Sequence, residues 1–286
     1  MFNIINKRII FFAISLVVIL VGAICFAVNG LNTDIDFTGG TAIYVDLGTD
    51  YNETAIRDCI NPIEGVTVSS VQKTDATGAV VKTTTISTEL RAKVTEELTK
   101  AFPGSTILSV DNVSANVGQE LWTNAALSIC IAALLMLIYI TFRFELLSGV
   151  SAVLALVHDM LVMIAIYAIF QFPVNTSFIA AILTILGYSI NATIVIFDRI
   201  RENAKMMKKE AFGNVVDKSI WQSMGRSINT SITTLLTIVM VYILGVPSIK
   251  DFALPLIIGI VAGTYSSIFI AGQFWVLLKG KDKKQA

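Results

Sequence analysis

The sequence predicts an α-helical polytopic membrane protein: six transmembrane helices, with one extracytoplasmic α+β domain between the first and second. Three observations predict it. Of 286 residues, 55% are hydrophobic and 15% charged, with a mean hydropathy of +0.74, whereas a soluble domain carries about 25% charged residues. Six apolar runs reach the roughly 20 residues needed to cross about 30 Å of hydrocarbon. One stretch of ordinary polar composition, Gly30 to Leu121, interrupts them. This composition excludes a disordered chain. The 21 Lys and Arg balance 21 Asp and Glu, which argues against a basic nucleic-acid binder. One His and three Cys are too few for a His/Cys metal site, so neither metal nor cofactor is expected.

The first run, Ile9 to Val28, follows Lys7 and Arg8, as a signal peptide would. Its apolar core is longer than the 7–15 residues of a signal h-region, and Ile24 before Cys25 does not suit a lipoprotein cleavage site. It reads as a retained anchor within residues 1–29.

Residues 30–121 alternate strand and helix patterns. A strand over Gly40 to Leu47 follows a Gly-Gly turn, and Asn52 caps a helix to Ile60. Strands over Val66 to Gln72 and Ala79 to Ile86 flank a turn at Thr77-Gly78, with Val81 inward and Lys82 and Thr83 opposed to it. Ser87-Thr88 opens a helix through Ala101 with Leu90, Val94, Leu98 and Phe102 on one face; Pro103-Gly104 ends it, and Thr106 to Val113 is the last strand. The order β-α-β-β-α-β is the ferredoxin-like arrangement, which hosts many functions. The stretch holds 13 acidic and 6 basic residues. Its one cysteine, Cys59, reads as a small buried residue; Cys25 and Cys130 lie in spans, so no disulfide framework exists.

Residues 122–286 hold the other five spans: Trp122 to Phe142, Ser148 to Phe170, Thr176 to Phe197, Ile228 to Leu244 and Phe252 to Leu278, with Pro255 tolerated near the start of the last. The connections are short except for the loop 198–227. With the N-terminus in the cytoplasm, the inside holds 14 Lys and Arg and the outside 7, of which all but Lys250 lie in the folded polar stretch. The positive-inside rule then places both termini in the cytoplasm and residues 30–121 outside. The zero net charge is thus a sum of an acidic outer domain and a basic remainder.

Ionisable residues at mid-membrane cost about 2.5–3.5 kcal/mol on insertion scales and are functional candidates by default. His158 and Asp159 sit at the middle of the third span. About 100° separates neighbouring helix positions, so the two are not expected to share one direction. Ser189 and Asn191 in the fourth span offer hydrogen-bond groups, and Gly187 beside them suits close helix approach. Asp198 and Arg199 mark the cytoplasmic exit of that span. Ser227, Asn229, Thr230, Ser231, Thr233, Thr234 and Thr237 make the fifth span rich in hydrogen-bonding groups, for a wet path or for interhelical bonds, and Arg226 stands at its edge as a candidate anchor or path residue. No Walker A, H-E-x-x-H, G-x-S-x-G or dinucleotide fingerprint is present. The one histidine lies in a span, which excludes a Ser-His-Asp triad from the outer domain. No enzyme activity is expected.

Five segments together resemble the SecF family, protein-export membrane subunits of the bacterial Sec machinery. They are IDFTGGT at Ile35–Thr41, FRFE at Phe142–Glu145, VHDM at Val157–Met160, GYSINATIVIFDRIREN at Gly187–Asn203 and RSINTSITTLLT at Arg226–Thr237. The resemblance spans essentially the whole chain and implies half of an RND-superfamily transporter, completed by SecD as the other half of a heterodimer. It implies a location in the bacterial cytoplasmic membrane and action on the SecYEG channel, with YajC as a further partner. The implied task is preprotein export driven by the ion-motive force, with an outer domain that holds unfolded polypeptide. Asp159, Ser189, Asn191 and Arg226 are the residues this resemblance sets along an ion path or polar seam, with His158 beside Asp159 as a further candidate, and Asp36, Gly39, Gly40, Asp198 and Arg199 belong to its motifs.

The chain departs from that family at one sensitive place. Where the family commonly carries an Asp directly after the Asn of the fourth span, this chain has Ala192, which cannot relay a proton. Three outcomes stay open: Asp159 takes over, SecD carries the acid alone, or ion coupling is weak or absent. Asp34 is a smaller departure, at a position where Gly often precedes Ile-Asp. The rival readings are a standalone RND-like exporter acting as a homo-oligomer, a structural or interaction subunit without its own relay, and an intramembrane hydrolase hinted at only by His158-Asp159.

Overall fold

With no proline in the run and no charge after Arg8, the apolar residues Arg8–Asn29 form α1, the first of six helices among the described residues that are long and apolar enough to span a membrane. The computed structural model describes residues 4–74, 76–143 and 145–280. Phe144 of the FRFE segment, and Lys281, Lys283 and Lys284 of the C-terminal basic group, lie outside the described residues.

Between α1 and the second long helix, the chain folds into a four-stranded sheet: β1 (Gly40–Asp46), β2 (Val68–Lys73), β3 (Gly78–Thr83) and β4 (Thr106–Val113). The order is β2-β3-β1-β4 with every neighbour antiparallel, the ferredoxin-like pattern. A one-turn helix, α2 (Ile35–Thr38), precedes β1 where the sequence predicts no helix, because Asp34 caps it and Gly39 leaves it at φ 76°. Helices α3 (Glu53–Ile60) and α4 (Thr88–Ala101) start where their caps dictate: Asn52 accepts from the Thr54 amide and Ser87 from the Leu90 amide. Ile56, Ile60, Val94 and Leu98 pack on Ile43, Val45 and Val81 to make this unit's core.

The other face of the sheet is covered as well. Ile35 of α2 closes over Ala42 and Val80. Gly40 has no room for a side chain: a Cβ there would lie 2.5 Å from the Thr83 carbonyl oxygen. Lys82, on the face opposed to Val81, is therefore buried, and its ammonium is paired with Asp34.

The remaining helices are α5 (Ala115–Arg143), α6 (Leu146–Phe170), α7 (Thr176–Met206), α8 (Phe212–Leu244), α9 (Pro247–Ser266) and α10 (Gly272–Lys279), the last two joined by a π-helical turn at Ser267–Ala271. Helices α5, α7, α8 and α9 all run past the apolar runs that announce them. The expected loop 198–227 is corrected to two helical extensions joined by residues 207–211. Polar side chains stabilise them: Asn203 Nδ2 donates to Ser219 Oγ at 2.8 Å and to Gln222 Oε1 at 2.7 Å. Pro255 falls inside α9, not near its start, and removes one amide donor from that helix.

In α1, α5 and α8 only 11% of the most apolar window is buried, against 44% in α6 and α7 and 61% in the last span. Thus α6, α7 and α9–α10 are the centre of the bundle. Glycines at their contacts let them approach: a Cβ on Gly22 would lie 2.2 Å from Ala165 Cβ, and one on Gly259 2.5 Å from the Ile185 side chain. Gly187, expected to play this part, has nothing within 4 Å of its would-be Cβ. Two apolar cores form, one around Phe197, Ile220 and Trp275, the other around Met163, Tyr167, Phe178 and Ile182.

Candidate functional site

Between those two cores lies a buried polar layer. On α6, Asp159 is 1% exposed and His158 8%. Their side chains meet, with His158 Nδ1 3.1 Å from Asp159 Oδ1. This corrects the expectation that the 100° offset keeps them apart: both side chains are long enough to reach across it. Ser189 on α7, fully buried, donates to Asp159 Oδ2 at 2.6 Å. Ser15 on α1 lies 2.8 Å from His158 Nε2. With Asp159 ionised, Nδ1 carries the ring proton and Nε2 accepts from the Ser15 hydroxyl. Four side chains from three helices thus form one hydrogen-bonded line, Ser15–His158–Asp159–Ser189, with the imidazole and carboxyl at its centre.

Close packing holds the line in place. A Cβ on Gly263 of α9 would lie 3.0 Å from Ser189 Cβ, so this glycine lets α9 pack against that serine. Tyr265, whose hydroxyl donates to the Phe11 carbonyl at 2.8 Å, stacks at 6.2 Å from the His158 ring. A cavity of about 380 Å³ between α1, α6 and α9 reaches Ser15, His158 and Tyr265 and is otherwise apolar, lined by residues such as Val162 and Val261.

Asn191 and Arg226 are not part of this line. They lie on the side of α7 and α8 that turns out of the bundle, in a separate pocket of about 120 Å³ shared with Tyr188, Ala192, Ser227, Thr230 and Ser231. Both are exposed. No carboxylate is among the residues that line this pocket. Several hydroxyls of α8 donate to their own helix: Thr230 to the Arg226 carbonyl, Thr234 to Thr230 and Thr237 to Thr233. Ser231 instead takes a bond across helices, from Thr264 of α9 at 2.7 Å.

The motif residues make joints. Asp36 accepts from the Thr176 amide at 2.9 Å and its hydroxyl at 2.7 Å, a carboxylate at the N-terminus of α7, where the helix dipole favours it. Phe37 packs against Trp122 with the rings tilted by 31° and their centres 4.5 Å apart. A Cβ on Gly118 would lie 2.3 Å from the Phe37 carbonyl oxygen. Asp36 and its neighbours thus fasten the sheet unit to the bundle, and Gly39 and Gly40 shape the turn that makes this fit. Arg199 Nε donates to Gln222 Oε1 at 2.7 Å and so joins α7 to α8; Asp198 is half-buried beside it. Glu145 of the FRFE segment accepts from Trp275 Nε1 at 2.9 Å and from Lys279 at 3.2 Å. Cys59 is half-buried, and its thiol donates to the Glu97 carbonyl at 3.3 Å.

Sequence reasoning misses Ser15, Gly263 and Thr264. Ser15 carries a signal, as the only hydroxyl in the apolar run Ile9 to Val28. The other two carry none, since their roles arise only where α9 meets α7 and α8.

Comparison with known proteins places this architecture. The family model described as "Protein export membrane protein SecD/SecF, C-terminal" matches residues 93–281. The protein translocase subunit SecF of Alicyclobacillus acidocaldarius is 37% identical over 100% of this chain and 95% of its own length. That of Acidaminococcus fermentans is 36% identical over 99% of both. The crystal structure of SecDF from Thermus thermophilus superposes with a TM-score of 0.86 at 33% identity, covering 97% of this chain and 38% of that one. The fused SecDF of Bacillus subtilis is 35% identical over 98% of this chain and 38% of its own length. The chain belongs to the SecD/SecF family of protein-export membrane proteins.

Proposed function

We propose that the chain is the SecF-type half of a SecD–SecF pair that promotes export of unfolded preproteins across the bacterial cytoplasmic membrane, drawing on the ion-motive force. In this reading it is a transport component and not an enzyme, and it acts on polypeptide leaving the SecYEG channel, with YajC as a further partner. Both termini are cytoplasmic and the sheet unit lies outside, as the distribution of Lys and Arg supports.

The observation that carries the reading is the outward polar face of α7 and α8. Asn191 and Arg226 are exposed on long apolar helices. Polar and charged side chains that face outward from long apolar helices are poorly served by lipid, so a second membrane half covering that face would give them partners. Transporters of this kind hold their ions at the interface between two such halves. The fused relatives, of which this chain spans 38%, support a partner of that sort. The inner line Ser15–His158–Asp159–Ser189 is then this chain's own candidate relay in place of the acid missing at Ala192.

The test is proton flux into liposomes containing the chain alone or with its SecD-type partner. Flux is expected only from the pair; flux from the isolated chain would overturn the two-half reading. A second reading, a structural subunit without its own relay, is favoured by the pocket of Ala192 and Arg226, which no carboxylate lines. Asp159→Asn separates the two. Loss of force-dependent export supports the relay, and unchanged export supports the structural subunit.

A further inference from the structure

The outer unit carries a groove that neither the membrane helices nor the sheet core uses. It runs between α3 and α4, on the side of the helices away from the sheet, with a volume of about 710 Å³. Its floor is apolar: Pro62, Ile63 and Leu90, the last two packed against the unit's core from above. Its rim is acidic, with Asp58 and Glu64 on one side and Glu96 and Glu97 on the other. Lys93 also lines it, and Lys100 bridges Glu96 at 2.8 Å and Glu97 at 2.9 Å from the edge. Four carboxylates against two ammonium groups leave the groove negative, within a stretch that holds 13 acidic and 6 basic residues. Cys59 lies in its wall, with its thiol pushed up in pKa by burial first and by the Glu97 charge second.

The apolar floor and negative rim together describe the complementary ligand. A folded protein surface would need a broad flat contact, whereas a groove between two short helices admits one chain at a time. Aliphatic side chains suit the floor, and Lys or Arg between them suit the rim, through charge complementarity that raises capture rate and selects sign. A nucleic acid or an anionic lipid headgroup would be repelled. We propose that the α3–α4 groove is a docking site for a positively charged, aliphatic segment of unfolded polypeptide. This rests on the export reading and on the outward position of the unit, and it names the part of the outer unit and the class of segment involved.

The experiment uses the full-length chain in nanodiscs. Two fluorescein-labelled peptides of equal length are compared by anisotropy, one alternating Leu with Lys and one alternating Leu with Glu. The Lys peptide is expected to bind and to weaken as salt rises, because rim charges are screened within about 8–10 Å. In Glu96→Gln/Glu97→Gln, which also frees Lys100 to repel, affinity is expected to fall about five- to tenfold. In Asp111→Asn, a carboxylate on the opposite sheet face, it is expected to hold. Asp58→Asn/Glu64→Gln gives a second rim variant should the first disturb α4. Equal binding of both peptides, or rim variants that bind like the parent, would overturn the proposal. A pair active in export whose outer unit binds neither peptide sinks the groove alone. A groove that binds the Lys peptide in a chain that gives no export leaves the groove standing and sinks the export reading.

Discussion

Ser189 on α7 donates to Asp159 on α6 across 2.6 Å, with both side chains fully or almost fully buried. Hydrogen bonds to a charged group in such a setting contribute about 1.5–3 kcal/mol, more than neutral ones. Ser189→Ala leaves one carboxylate oxygen without this donor. The variant is expected to lose stability on that scale, read as a lower thermal midpoint in detergent. Ser189→Thr, which keeps the hydroxyl, is expected to lose less, and an Ala variant as stable as the parent would show that the bond contributes nothing.

Gly22→Leu tests the packing of α1. The added Cβ would lie 2.2 Å from Ala165 Cβ and 2.4 Å from Ala165 Cα. Since the second contact is to backbone, Ala165→Gly is not expected to rescue the variant. Loss of α1 docking should also part Ser15 from His158. The measurement is the yield of monodisperse protein, and a normally folded double variant would contradict the close contact between α1 and α6.

Lys82 and Asp34 form a buried ion pair under α2. Removing one partner of a buried pair costs about 3–5 kcal/mol, while replacing both with apolar residues is often neutral. Lys82→Met is therefore expected to destabilise the sheet unit strongly, and Lys82→Met/Asp34→Leu to recover part of the loss, less the α2 cap that Asp34 also supplies. Equal midpoints for the single and double variants would show that the pair is uncoupled.

The outer surface should respond to acid in a defined direction. Asp50 is held below its ordinary value of 3.8 by Lys73, through hydrogen bond and charge, and Glu96 below its ordinary value of 4.5 by Lys100. Asp46 is lowered by the Gly48 amide and Thr77. Groups lowered in the folded state stabilise it above their unfolded values and lose that contribution as pH falls through the folded ones. Through these three carboxylates stability should hold steady from about pH 5 to neutrality and fall below about pH 4. Because these groups are exposed, salt should blunt the Lys73 and Lys100 parts. Unfolding curves at stepped pH and salt check both.

The sheet unit is legible in the sequence because its strands alternate and its caps are where Asn and Ser stand. Lys82 is not, because its inward turn depends on α2, a single turn whose cover over the second face no local pattern announces. The spans are legible as apolar runs, but their ends are not. Helices α7 and α8 continue through polar sequence because Arg199, Asn203, Ser219 and Gln222 satisfy one another there. At the candidate site the residue types stand out and their grouping does not. Positions 189 and 191 are two apart, about 200° around a helix, so Ser189 turns to Asp159 while Asn191 turns away.

The Asn203–Ser219–Gln222–Arg199 clasp fastens α7 and α8 close to the connection at residues 207–211. Nearer Ala192, among the described residues, Tyr188 reaches Ser231 and Thr234 through longer bonds, at 3.5 and 3.4 Å. Two rods joined at one end separate by splaying, and the gap grows with distance from the joint. At about 1.5 Å per residue, Ala192 is about 16 Å along α7 from Asn203. A tilt of about 10° at the clasp would open that level by roughly 3 Å, the width of a water molecule. The pair is in this sense a lever whose fulcrum is a patch of amides and hydroxyls.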